Sequence, residues 1–226
     1  MKRILALITF MFFCTVSFAQ EVVSESESEN SVPSEWNQSV GLGLTFPFKM
    51  IFIDGNRSTG FSTQINVTYE EKKSSGLIFF VDTAIGPYFY KDLHIGDSSG
   101  LCFNMSILFC GGYDFLANDK DNSLILAAVF GIDFFTFKNY INSNGSFCKE
   151  NSAVCFDLGF DLVYTFKLKE NLKLYMGWKT LAGAGWNYSR VTEDDETEDK
   201  EKVVSDDYGS SCLLAVQPKI GLLYKY

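Results

Sequence analysis

The sequence predicts an all-β chain, an eight-stranded antiparallel up-and-down transmembrane β-barrel. Three observations predict it. Apolar and polar residues alternate with period two in eight successive runs between Ser39 and Tyr226. Each run holds the roughly ten residues that a tilted strand needs to cross a bilayer. The connections between runs are alternately long and short, as in barrels whose two rims face different compartments.

The front end is of another kind. Met1-Lys2-Arg3 is a short positive start, Ile4–Phe18 is an apolar run, and Ser17 and Ala19 are the small residues a signal peptidase reads. Residues 1–19 therefore read as a secretory signal peptide cut after Ala19. The run is too short to serve as a membrane-spanning helix, and Phe13 stands before Cys14 where lipid attachment wants a small residue. Residues 20–38 contain EVVSESESENSVPSEWNQ. This acidic, Ser-rich stretch has little to bury and reads as a disordered periplasmic lead-in. The barrel is assigned to residues 39–226.

The runs follow in order. The first sets Val40, Leu42, Leu44, Phe46, Phe48, Met50 and Phe52 against Gly41, Gly43, Thr45 and Lys49. The second sets Phe61, Ile65, Val67 and Tyr69 against Ser62, Gln64, Asn66 and Thr68. In the third, Leu77, Phe79, Val81, Ile85 and Phe89 oppose Asp82, Ala84 and Gly86. In the fourth, Leu101, Phe103, Met105, Ile107, Phe109 and Tyr113 oppose Asn104, Ser106, Gly112 and Asp114. The fifth, Leu124–Thr136, is less regular, because Ile125 and Val129 share the face of Asp133. The sixth is the clearest, with Val154 to Leu168 alternating against Asp157, Gly159, Asp161, Thr165, Lys167 and Lys169. The seventh sets Leu172, Leu174, Met176, Trp178, Ala182, Ala184, Trp186 and Tyr188 against Lys173, Gly177, Lys179, Gly183 and Gly185. The eighth ends the chain, with Ile220, Leu222, Tyr224 and Tyr226 on one face. Strict alternation of this length is the signature of strands with one apolar face.

With both ends of the barrel in the periplasm, the two longest connections, Asn139–Ser152 and Arg190–Asp207, lie outside the cell. The tightest, at Glu170-Asn171, lies inside. Tyr88, Tyr90, Tyr113, Trp178, Trp186, Tyr188, Tyr224 and Tyr226 stand toward strand ends, where interfacial aromatic girdles form.

Alternation does not itself say which face is inside. A soluble periplasmic lipocalin-like barrel, with its apolar face inward and a ligand bound there, alternates in the same way. Size separates the two. The interior of an eight-stranded barrel is only just wide enough to be filled by side chains, and the many Phe, Tyr and Trp rings of the apolar face would overfill it. The apolar face is therefore expected toward lipid. Lys49, Asp82, Asp133, Asp157, Asp161, Lys167, Lys173, Lys179 and Lys219 then point into the lumen by parity. Buried charge without a partner is costly, so a lumen charge network that plugs the barrel is expected. A narrow polar conduit is the alternative.

Chemistry is sparse. The net charge of −9 offers no basic cluster for phosphates and argues against nucleic acid. The only histidine, His94, has Asp97, Ser98 and Ser99 near it in sequence. Nearness along a loop does not make a nucleophile, base and orienting acid, so no catalytic residue, and no enzyme, is expected. The cysteines lack metal-site spacing and there is no second histidine, so no metal and no cofactor are expected. The acidic stretch Thr192–Lys202 lacks the ligand spacing of a calcium loop and reads as a flexible, solvated charge run. Cys102 and Cys110 lie too far apart along one strand to join. Cys148 and Cys155 are the candidate disulfide, clipping the third outer loop, and Cys155 with Cys102 is a second pairing.

The strand periodicity, the loop alternation and the terminal Leu222/Tyr224/Tyr226 face resemble the small bacterial outer-membrane barrels of the OmpW, OmpX and OmpA-transmembrane types, over Ser39–Tyr226. The signal peptide, the opening GLGLTFPF (Gly41–Phe48) and the cysteines also resemble small treponemal outer-membrane barrels of unassigned function. The resemblance implies an outer-membrane location and partners in outer-membrane lipid and the barrel-assembly machinery, with Leu222, Tyr224 and Tyr226 as the assembly signal. It further implies a surface-exposed role in which outer loops meet host or environment, or a structural one. Passage of small apolar solutes is its alternative.

Overall fold

The computed structural model describes residues 36–53, 56–92, 99–141, 147–195 and 200–226, with side chains described for 36–53, 57–91, 101–137, 152–188 and 208–226. The signal peptide and most of the acidic lead-in lie outside these residues, as do His94, Asp97 and Ser98.

Ten strands form one antiparallel sheet closed on itself. They are β1 (Trp36–Thr45), β2 (Phe48–Ile53), β3 (Asn56–Ser62), β4 (Gln64–Lys73), β5 (Leu77–Asp92), β6 (Ser99–Asp114), β7 (Asn122–Ile141), β8 (Phe147–Lys169), β9 (Leu172–Asp195) and β10 (Lys200–Lys225). They make eight staves. β1 and β2 are one stave interrupted at Phe46-Pro47, and β3 and β4 are a second interrupted at Thr63. The register does not slip at the first break: Thr45 faces Lys219 and Phe48 faces Val216, three residues on along each strand. Pro47, and Pro218 opposite Phe46, lack an N–H, so the ladder loses donors there while the stave continues. The Phe46 amide still donates to the Pro218 carbonyl at 2.8 Å, and the Ser62 amide to that of Pro47 at 2.9 Å. β10 pairs with both β1 and β2, which closes the ring.

The apolar face points outward, so the lipocalin-like arrangement is not the one formed. Leu158 is 69% exposed and Leu42 62%, and Phe48, Phe130 and Phe160 are exposed with them. The residues that alternate with them are buried or half-buried. An exposed apolar band of this extent is the mark of a membrane contact.

The two longest connections are corrected. β7 and β8 run to Ile141 and from Phe147, and β9 and β10 run to Asp195 and from Lys200. Most of each expected loop, including Thr192–Asp195 and Lys200–Lys202 of the supposed flexible run, is paired hairpin. Apolar alternation ends where the wall leaves the bilayer, since a strand in water needs no apolar face, so the period-two signal stops before the strand does. β8, β9 and β10 thus reach 23, 24 and 26 residues, against 16 for β5 and β6. The register shift between Val203 and Ser205 is a bulge in the outer reach of β10, a common way to blunt an exposed strand edge.

The opposite rim is tight. Gly76 adopts φ +95° in the Ser74–Gly76 turn, a conformation that suits glycine. The Lys225 amide donates to the Asn171 carbonyl at 2.9 Å, which ties the end of the chain to the shortest turn.

Candidate functional site

The interior is layered. Ile51, Ile53, Tyr88, Tyr90, Phe135 and Phe137 fill its outer part. The Tyr88 ring packs edge-on against Phe135, centroids 5.6 Å apart, and Tyr90 likewise against Phe137 at 5.2 Å. Below this apolar plug come two polar clusters, then a small pocket.

The upper cluster centres on Lys49 of β2. Its ammonium donates to both carboxylate oxygens of Asp133, at 2.8 and 2.9 Å, and to Asn104 Oδ1 at 2.8 Å. Asn104 Nδ2 also donates to Asp133 at 3.0 Å, and Gln64 donates to Asn104. The Tyr88 hydroxyl donates to the Lys49 carbonyl at 3.0 Å and fastens the plug to the cluster.

The lower cluster has two cations and two anions. Lys179 Nζ lies 2.7 Å from Asp82 Oδ2 and 3.7 Å from Asp161 Oδ2. Lys219 Nζ lies 2.9 Å from Asp82 Oδ2 and 2.6 Å from Asp161 Oδ2. Thr68 donates to Asp82, and the Tyr175 hydroxyl donates to Asn66 Oδ1 at 2.8 Å. Lys219 Nζ also stands 5.2 Å from the centre of the Phe80 ring. Asp82, Cys110 and Asp161 bring their donor atoms within 4.8 Å of one another, a spacing that suits a metal ion. The ammonium groups of Lys179 and Lys219 already supply the positive charge there, so the residues do not fit a metal centre. The pocket beneath is lined by Glu70, Phe80, Ile125, Thr165, Tyr175 and Lys219, among others.

Packing at the closure seam explains how the lower cluster is held. Gly43 and Gly221 face each other across β1 and β10. A Cβ on Gly43 would fall 2.3 Å from the Tyr175 hydroxyl, and one on Gly221 2.6 Å from Tyr175 Cζ. The tyrosine lies in the space that the two glycines leave.

No known family's sequence pattern matches the chain, and no curated protein matches it. Solved structures do. The outer membrane protein OprG from Pseudomonas aeruginosa is 11% identical, with 84% of this chain and 96% of that one covered and a TM-score of 0.50. A major outer membrane protein from Thermus thermophilus is 14% identical over 81% of this chain and 99% of that one, with a TM-score of 0.46. Neisserial surface protein A is 17% identical over 85% and 98%, with a TM-score of 0.39. This chain has the fold of the small bacterial outer-membrane β-barrels.

Against that fold the sequence-predicted lumen residues divide. Lys49, Asp82, Asp133, Asp157, Asp161, Lys179 and Lys219 are all buried inside. Lys167 is corrected: it sits at the inner rim, partly exposed, and pairs with Asp121 of the neighbouring turn at 3.1 Å. Lys173 is corrected as well, being only half-buried near the inner opening rather than inside the network. Both lie within three residues of the Glu170-Asn171 turn, where the lumen gives way to solvent, so parity alone cannot bury them. Asp157 is inside but unpaired: neither carboxylate oxygen has a hydrogen-bond partner.

Leu222 and Tyr224 are exposed to the lipid side, with Tyr226 exposed at the strand's end, as the terminal face requires. Tyr88 and Tyr90 are corrected from girdle to lumen, at 0% and 7% exposure. Their parity matches that of Asp82, which places them inward despite their chemistry. Asn104, Gln64, Asn66 and Thr68 appeared in the sequence only as the polar sides of strands, with nothing to mark them as partners of Lys49 and Asp82.

The candidate disulfide fails. Cys155 is a buried free thiol with Sγ 3.4 Å from Ser211 Oγ. Cys148, whose side chain lies outside the described residues, is on the same strand. Seven residues of strand rise put the two about 23 Å apart, far beyond disulfide reach. Cys102 is also free and buried, which removes the second pairing.

Proposed function

We propose that this protein resides in the bacterial outer membrane as a closed barrel that holds a tall hairpin wall outside the cell, where the wall meets host or environment. The observation that carries this reading is the unequal height of the barrel. About ten residues span the bilayer, yet β8, β9 and β10 run 23, 24 and 26 residues and end in hairpins on the side away from the chain's end. The aromatic plug of Tyr88, Tyr90, Phe135 and Phe137 and the ion-paired layers below it support a structural barrel over a conduit for polar solutes. The reading assigns no catalytic activity to the chain. Its partners are outer-membrane lipid, the barrel-assembly machinery and a surface ligand at the outer hairpins.

The test is to replace residues 138–151 or 190–207 with two-residue turns and compare adhesion of cells displaying each form. The shortened barrels should still shift in gel mobility on boiling while losing attachment. Unchanged attachment would remove the surface-contact reading. Measurable flux of small solutes through liposomes carrying the intact protein would favour the transport reading instead.

A further inference from the structure

Asp157 is a buried carboxyl group to which the barrel commits no cation. Among the described residues of the two lumen clusters, Lys49, Lys179 and Lys219 face Asp82, Asp133, Asp157 and Asp161. Each lysine is committed. Lys49 holds both oxygens of Asp133, and Lys179 and Lys219 share Asp82 and Asp161. Asp157 is 1% exposed, and both its oxygens lack a partner.

The surroundings are shaped for the carboxylate. Asp157 faces Gly131 of β7 on one side and Gly183 of β9 on the other. A Cβ on Gly183 would fall 2.0 Å from Asp157 Oδ1, so the carboxylate occupies space that glycine leaves open. The groups that act on it are Asp133 of β7, Lys49 of β2, Lys179 of β9 and Cys155 of β8. The Asp133 carboxyl group lies beside Asp157 and is itself held by Lys49. Ser106 of β6, which faces Asp133, carries a further buried oxygen without a partner. The nearby Lys49 and Lys179 are bonded to other carboxylates, and a buried charged carboxylate without a bonded counter-ion, beside a second carboxylate, is strongly disfavoured.

We infer that Asp157 is a site for one exchangeable positive charge taken from the medium, a proton or an alkali-metal ion. The lumen clusters are neutral when that charge is in place. No bond is made or broken beyond its capture by the carboxylate.

The experiment follows thermal unfolding of the refolded full-length mature barrel in detergent, as wild type, Asp157→Asn and Asp157→Ser. One series varies pH at fixed salt. The other compares lithium, sodium, potassium and choline chloride at fixed pH and ionic strength. The inference expects a shift of the wild-type midpoint that both variants lose. Loss confined to the pH series identifies a proton, and loss confined to the salt series identifies an alkali ion. A wild-type response equal to that of the variants, or no response in either series, overturns it. An infrared spectrum of the wild type above the ordinary carboxylate range is a readout that needs no variant. A protonated-carboxyl band there supports the proton arm, and its absence together with an absent salt response overturns the inference.

Discussion

Lys219 on β10 and Asp82 on β5 meet 2.9 Å apart across the lumen, joining two walls that no ladder joins. The same ammonium reaches Asp161 on β8 at 2.6 Å. One side chain near the end of the sequence thus ties together strands whose residues lie 58 and 137 positions away.

Removing that cation should be costly. Lys219→Met leaves Asp82 and Asp161 with Lys179 alone, and breaking one partner of a buried ion cluster typically costs about 3–5 kcal/mol. The urea midpoint of the refolded barrel should fall sharply. Adding Asp161→Asn to Lys219→Met should recover part of the loss, since it removes the anion left over. A double variant no more stable than the single one would show that the cluster contributes shape and not charge balance.

The closure seam predicts a graded series. Tyr175→Phe keeps the ring over Gly43 and Gly221 but loses the hydroxyl's bond to Asn66. It should cost about 1 kcal/mol, the usual size of one hydrogen bond. Gly43→Val should cost more, because a side chain there must displace both the tyrosine and the facing strand. Midpoints from heat-dependent gel mobility would rank the two, and equal values would contradict the packing described.

These two predictions also show what the sequence made legible. Period two put Lys49, Asp82, Asp133 and Lys219 on the polar face of their staves, and the narrowness of an eight-stranded lumen placed that face inside. It could not say which charge meets which. Partners in a barrel are set by the stagger between strands far apart in sequence, and alternation carries no information about stagger. It also missed the outer reaches of β8, β9 and β10, where water on both faces leaves no apolar signal. Tyr88 and Phe135 point to the same limit, because an aromatic residue suits a lipid girdle and a lumen plug equally well.

The four cysteines with described side chains test sidedness. Cys212 is exposed on the outer face, while Cys102, Cys110 and Cys155 are buried in the lumen. In single-cysteine versions of the folded barrel, an apolar maleimide should label Cys212 quickly and the other three only after unfolding. Rapid labelling of Cys110 or Cys155 in the folded state would mean that the plug admits solutes.

The inner turn predicts a pH effect that can be read at one place. The Asp119 carboxylate accepts hydrogen bonds from Asn122 Nδ2 at 3.0 Å and from the amides of Asp121 and Asn122 at 2.8 and 3.1 Å. The Asn122 side-chain bond, then the two amides, hold it below the ordinary carboxylate value. A depressed value in the folded state means that the carboxylate stabilises the turn above the unfolded value of about 3.9, and that this is lost as pH falls through the folded one. In micelle NMR, the Asp121 and Asn122 amide shifts should therefore titrate together with a midpoint below about 3.9. Asp119→Ala should abolish that titration and leave the β6–β7 ladder intact. A midpoint at or above the unfolded value would mean that the turn does not hold the carboxylate.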